Sequence, residues 1–303
     1  MIMILTGILN IILAVFLNFG GLPAIINTDA VMINLKPDAP LAPWNDEIAR
    51  RGAVLAADDR FFLFTRRPDE PQPIASITKL MTALVFIDNN PGWDEVYEIR
   101  FEDKIEGGRL NLFLGEQVTV RDLFYTSLIA SDNGATIALV HSTGLGEEEF
   151  VLQMNAKAQA LGLAHTTFSD PIGLSATNVS TAREVAWLAQ AAFAVPEIRQ
   201  ATVNREFSFN TLNGREKKIE STDDLLFVAS PGAPEILGGK TGYTDEAGYC
   251  YVGYMKGLDG RTVISVVLGA SGRNDRFRAS RDLADWALNY FDWAGRPLRS
   301  AGR

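Results

Sequence analysis

The stretch from Ile74 to Ile87 (IASITKLMTALVFI) constrains this chain more than any other. It is apolar over about four turns, is built mostly of good helix formers and follows Pro73, so it reads as a buried helix. A buried helix needs other layers around it, and the rest of the chain supplies two textures. Before it, Gly52 to Asp58 and Phe61 to Thr65 are short apolar runs around the turn signal Asp58-Asp59-Arg60. After it come helical patterns. Thr119 to Ala130 opens with a capping box, Thr119 to Asp122, and Gly134 to His141 resumes after a break at Ser131-Asp132-Asn133. Glu147 to Leu161 follows, and Thr181 with Glu184 caps a helix running to about Phe193.

Beyond residue 200 the pattern turns to strands: Glu206 to Thr211, Gly238 to Gly242, Tyr249 to Lys256 and Arg261 to Ala270, with Leu258-Asp259-Gly260 turning between the last two. An amphipathic helix, Asn274 to Phe291, closes the pattern. Strands at both ends and helices between predict a mixed α/β fold. It is an antiparallel sheet flanked by helices, with an all-helical subdomain inserted at roughly 88–200. There is no internal repeat and no low-complexity segment.

With 303 residues the chain has ample core for one large domain. A net charge of −9 argues against a nucleic-acid partner, which needs a basic face. One cysteine, Cys250, excludes an intramolecular disulfide and a thiolate metal cluster, and two histidines, His141 and His165, make no multi-histidine metal site. No metal and no cofactor is expected. Both histidines read as structural, and Cys250, mid-strand, as a buried small hydrophobe.

The first charged side chain is Asp29, and Met1 to Phe19 is almost wholly apolar. Residues 1–28 therefore read as a signal peptide or a single N-terminal membrane anchor, placing the rest on the extracytoplasmic face of the membrane. No Lys or Arg precedes the run, and Gly20 to Ala24 only suggests a cleavage site. Residues 29–50 are a lead-in with three prolines, 51–292 form the main domain, and 293–303 are a tail.

Three motifs carry chemistry. Ser76-Ile77-Thr78-Lys79 puts a hydroxyl and an amine three residues apart on one helix face. A serine needs a base to take its proton, and a lysine serves if burial and a second cation hold it neutral. A serine in a first turn also offers its own N–H as an oxyanion donor. Ser131-Asp132-Asn133 is by itself equally a helix cap, and Lys240-Thr241-Gly242 equally a strand edge. Their joint order, with separations of 131 − 76 = 55 and 240 − 131 = 109 residues, is that of the active-site serine set of penicillin-recognising enzymes.

The chain resembles the low-molecular-mass penicillin-binding D-alanyl-D-alanine carboxypeptidases and their endopeptidase relatives. Pro73 to Ser76, Met81 to Ala83, Met154 to Ala158, Leu161 to Leu163, Pro171 to Leu174, Asn178 to Arg183 and Gly239 to Gly248 carry the likeness, which runs from about Gly52 to Tyr290. The family's second, all-β domain and its C-terminal anchor helix have no counterpart in these residues. The resemblance implies the β-lactamase/transpeptidase-like fold. It implies that Ser76 is acylated, Lys79 is its general base and Ser131 passes protons between Lys79 and the leaving amine. Asn133 then orients the substrate's peptide group, and Lys240 keeps Lys79 neutral by repulsion. Thr241 and Arg276 hold the terminal carboxylate, and the N–H groups of Ser76 and Tyr243, the latter following Gly242, form the oxyanion hole. Two positions depart from the family pattern: Asp132 stands where many members have glycine, and Tyr243 where a histidine is common.

The implied reaction is removal of the terminal D-alanine from a peptidoglycan stem pentapeptide, with β-lactams as covalent inhibitors and a monomer as the working unit. A D,D-endopeptidase cleaving peptide cross-links is the alternative. A class A β-lactamase needs a deacylating glutamate, and residues 160–175 (ALGLAHTTFSDPIGLS) hold none. A non-catalytic sensor is expected to lack a catalytic residue, and none is missing.

Overall fold

The computed structural model describes residues 33–59, 61–105, 110–228 and 231–292. The proposed signal or anchor at 1–28 and the tail at 293–303 lie outside these. One antiparallel five-stranded sheet organises the fold. From edge to edge its strands are Glu235–Thr244, Gly248–Lys256, Thr262–Ala270, Arg51–Ala56 and Phe61–Arg66. Seven helices follow in chain order: α1 Lys79–Asp88, α2 Val120–Ile129, α3 Asn133–Ser142, α4 Glu147–Ala160, α5 Ala182–Ala194, α6 Pro196–Thr202 and α7 Arg273–Tyr290.

Strand alternation assigns each sheet face its own core. Ala53, Leu55, Val252, Ile264 and Val266 point to the side of α1 and α5, where they join Leu80, Met81, Phe86 and Phe124. Val54, Ala56, Tyr251, Val263 and Val267 point to the other side and meet Phe277, Leu283, Ala284 and Trp286 of α7. Both faces are covered, so Thr262–Ala270 is buried at every position and reads in sequence as an unbroken apolar run. The lead-in straps the α7 side: the Trp286 indole donates to the Pro40 carbonyl at 3.0 Å, and Asn34 and Leu35 pair with Asp292 and Phe291.

The predicted helices and main strands are present, several with shifted ends. Thr119 caps α2 by accepting the Asp122 N–H, and Thr181 caps α5 by accepting the Glu184 N–H. Two results differ from the sequence expectation. The run from Ile74 does not start as an α-helix: Ala75–Thr78 is a 3-10 turn, and α1 begins at Lys79. The inserted region, expected to be helical, also holds a small strand pair, Val96–Glu98 with Gln117–Thr119. A second hairpin, Glu206–Asn210 with Glu216–Glu220, stands beside α2 and completes the strand seen at Glu206.

Candidate active site

Ser76 and Lys79 lie in and just after the 3-10 turn, where positions i and i+3 eclipse more closely than in an α-helix. This aligns the two side chains: Lys79 Nζ donates to Ser76 Oγ at 3.0 Å. The same nitrogen donates to Asn133 Oδ1 at 2.7 Å and to the Ile172 carbonyl at 2.8 Å, so all three of its donors have acceptors. Lys79 is fully buried. Burial pushes its ammonium down to about 7, while the carboxylates of Asp132 and Asp170 act against that shift. The sequence reading named burial and a second cation together; desolvation is the larger of the two, and the Lys79–Lys240 repulsion is felt at Lys240.

Ser131 ends the turn between α2 and α3 with φ 57°, a left-handed conformation unusual for a side chain other than glycine. Asn133 then begins α3. Lys240, also buried, donates to Ser131 Oγ at 2.7 Å and to the Thr241 carbonyl at 3.0 Å. Burial pushes Lys240 well below its ordinary value, and the charges of Lys79 and Arg276 add to the shift. The hydroxyl of Ser131 is thus held by Lys240, whereas the expected relay placed it against Lys79.

The strand carrying Lys240, Thr241 and Gly242 is a sheet edge, so its outer side pairs with no further strand among the described residues. It runs tight against the Ser76 turn. A Cβ on Gly242 would stand 2.8 Å from the Ile74 carbonyl and 3.1 Å from Ser76 N, which only glycine avoids. Thr241 Oγ1 lies 2.6 Å from Thr222 Oγ1, a hydroxyl the motif reading had not singled out. Tyr243 is half exposed, stacks on Tyr249 with ring centroids 4.2 Å apart, and donates its O–H to Asp245 at 2.7 Å. Arg276 enters from the first turn of α7 and is buried. Its Nη1 donates to the Gly242 carbonyl at 3.1 Å, and its Nε has no partner among the described residues. The structure therefore brings Ser76, Lys79, Ser131, Asn133, Lys240, Thr241, Gly242 and Tyr243 together, with Arg276 behind the strand.

The loop Asp170–Ser175 was not foreseen as part of the site. Asp170 accepts N–H groups from Ile172 at 2.8 Å and from Ser175 at 2.7 Å, and these bonds turn the Ile172 carbonyl toward Lys79. A backbone acceptor leaves no side-chain signature, although Asp170-Pro171-Ile172-Gly173 is the kind of turn sequence that could have marked it. The two histidines are committed elsewhere: His141 Nδ1 lies 2.7 Å from Asp103, and His165 Nδ1 lies 2.9 Å from Glu184. Cys250 is buried, and burial pushes its thiol up to about 11, which makes it unreactive.

Chemically the arrangement offers a hydroxyl bonded to an amine whose ordinary charge is suppressed, and a second hydroxyl bonded to a second amine. Beside both runs an open strand edge. The profile of the D-alanyl-D-alanine carboxypeptidase family matches residues 43–272. The D-alanyl-D-alanine endopeptidase of Pseudomonas aeruginosa is 36% identical over 264 residues, covering 85% of this chain and 83% of that protein. Among solved structures, the D-alanyl-D-alanine carboxypeptidase of Mycobacterium tuberculosis superposes with a TM-score of 0.74 at 29% identity, covering 84% of this chain and 96% of that one. Penicillin-binding protein D2 of Listeria monocytogenes, solved in its cefotaxime-bound form, superposes with a TM-score of 0.68 at 33% identity over 80% of this chain and 97% of that one.

Proposed function

This chain belongs to the D-alanyl-D-alanine carboxypeptidase family of serine peptidases, and from that membership we propose that Ser76 is acylated and Lys79 is its general base. The reaction is removal of the terminal D-alanine from a peptidoglycan stem pentapeptide. The observation that carries the assignment is the 3.0 Å bond between Ser76 Oγ and a lysine held near neutrality by burial.

In acylation, Lys79 takes the Ser76 proton as Oγ attacks the carbonyl carbon of the penultimate D-alanine. The N–H groups of Ser76 and Tyr243 receive the oxyanion. Ser131 gives its hydroxyl proton to the departing nitrogen and recovers one from the Lys79 ammonium, so Lys79 is neutral again. In deacylation, water attacks the ester as Lys79 takes its proton, and Lys79 passes that proton to Ser76 Oγ as the ester breaks. Asn133 Oδ1 is occupied by Lys79, which leaves Nδ2 to hold a substrate carbonyl. Thr241 and Thr222 offer hydroxyls to the terminal carboxylate. Arg276 fixes the Gly242 carbonyl and adds its charge behind the strand.

A β-lactam occupies the same site and acylates Ser76. What faces the ester from the Asp170–Ser175 loop is the Ile172 carbonyl, while the Asp170 carboxylate is committed to backbone N–H groups. No side chain there activates a water in the class A manner, which supports a long-lived adduct over β-lactamase turnover. Residues 1–28, uncharged and largely apolar, support export, with the domain on the extracytoplasmic face of the membrane.

A second reading, cleavage of D,D cross-links, is favoured by the P. aeruginosa relative, an endopeptidase by name. Both use the same residues, so products decide. Digestion of purified peptidoglycan followed by mass analysis of the muropeptides is expected to show pentapeptides losing D-alanine. Dimer cleavage faster than D-alanine release by about tenfold or more would overturn the carboxypeptidase assignment.

A further inference from the structure

Asp132 stands between Ser131 and Asn133 and is 2% exposed. Its Oδ1 accepts the Ala135 N–H at 2.8 Å and so caps α3. Its Oδ2 does something a cap does not require. It accepts both the backbone N–H of Asn111 at 3.0 Å and the Asn111 side-chain amide at 2.8 Å. The segment around Asn111 is pinned from its far side as well. Lys217 donates to the Asn111 carbonyl at 2.9 Å and pairs with the buried Glu116 at 2.7 Å, and Glu116 accepts the Phe113 N–H at 2.9 Å. A chain of bonds thus runs from the Glu216–Glu220 strand through Asn111 and Asp132 to the turn that aims Ser131 and Asn133.

Among the described residues, the three bonds that the Asp132 carboxylate accepts all come from uncharged N–H donors. Asp132 sits between Asn133, which accepts from Lys79 at 2.7 Å, and Ser131, which accepts from Lys240 at 2.7 Å. The groups around Lys79 are Asp132 at the head of α3, Asp170 from the Asp170–Ser175 loop and Lys240 from the edge strand. Asp223 and Arg276 act in turn on Lys240. Two carboxylates therefore offset the burial of the base. We propose that Asp132 is a positioning residue of the reaction: through Asn111 it fixes the segment bordering the Ser131–Asn133 turn, and it holds a carboxylate between the two residues that bond the buried amines of Lys79 and Lys240.

The proposal rests on the acyl-enzyme reading above. It is tested by following acylation of the full chain with fluorescent penicillin from about pH 5 to pH 9, spanning the Lys79 titration. Removing the anion in Asp132→Asn makes the Lys79 ammonium less favourable, so its proton leaves at lower pH. The acid limb is expected to move down by about half a pH unit or more. Asn111→Ala keeps the charge and loosens the tether: its limb stays in place and its rate falls about tenfold at every pH. Asn111 is only half-buried, so that variant carries the test if Asp132→Asn does not fold. A limb that stays at the wild-type pH in Asp132→Asn would overturn the proposal, as would wild-type rates in Asn111→Ala. Absence of label on the wild type would overturn the acyl-enzyme reading itself and this proposal with it.

Discussion

Lys79→Met is expected to slow acylation by penicillin about 1,000-fold or more while the protein stays folded, because a positioned base contributes roughly 10²- to 10⁴-fold. Methionine keeps an unbranched chain of similar reach in a fully buried slot. It removes the proposed base of Ser76, and among the described residues no other base is bonded to Ser76 Oγ. Folding survives for two opposed reasons. Loss of a buried amine relieves its desolvation, whereas the Asn133 and Ile172 oxygens each lose a donor, at about 1–3 kcal/mol apiece. Rates from gel-resolved fluorescence, read beside thermal melts, separate the two effects. A folded variant acylating within tenfold of wild type would show that Lys79 is not the base.

Gly173→Ala is expected to lower stability by about 3–5 kcal/mol and to abolish acylation, since a side chain is forced into a closed left-handed position. Gly173 has φ 85°, and an added Cβ would stand 2.0 Å from the Ala75 carbonyl oxygen and 2.9 Å from Thr78 Oγ1. Neither neighbour can give way: one is backbone and the other belongs to the turn that presents Ser76. Ala75 itself is in the left-handed region at φ 48°, so two strained segments meet there. Gly162→Ala is the control. It has φ 76° but open space around it, and it should cost about 1 kcal/mol. Equal melting temperatures for the two variants would contradict the close approach.

The legible part of the molecule is what local chemistry writes into sequence. Ser76 and Lys79 are three residues apart, so their meeting needed only one turn, and the caps Thr119 and Thr181 followed from their own spacing. Ser131 and Lys240 lie 109 positions apart, and only resemblance placed them together. The Glu216–Glu220 strand was missed because Lys217 occupies an inward position, where a buried pair with Glu116 replaces an apolar residue and hides the alternation. The α6 helix is seven residues long, too short for a periodic signal, and only Pro196 at its start announced it. The 3-10 turn at Ser76 escaped because the same residues favour either helix type. The Ile172 carbonyl escaped because a peptide group is present at every position and marks none. What sets the base free was legible in kind, since the motif reading named burial and a second cation together, but that burial is the larger cause is a property of the whole fold.

The proposed ester on Ser76 is tested by trapping it. The wild-type chain is mixed with benzylpenicillin, its intact mass is followed over time, and the modified protein is digested for peptide mapping. A stoichiometric adduct that persists for minutes and maps to Ser76 is expected. An adduct on any other residue, or rapid destruction of the drug with no adduct accumulating, would contradict it.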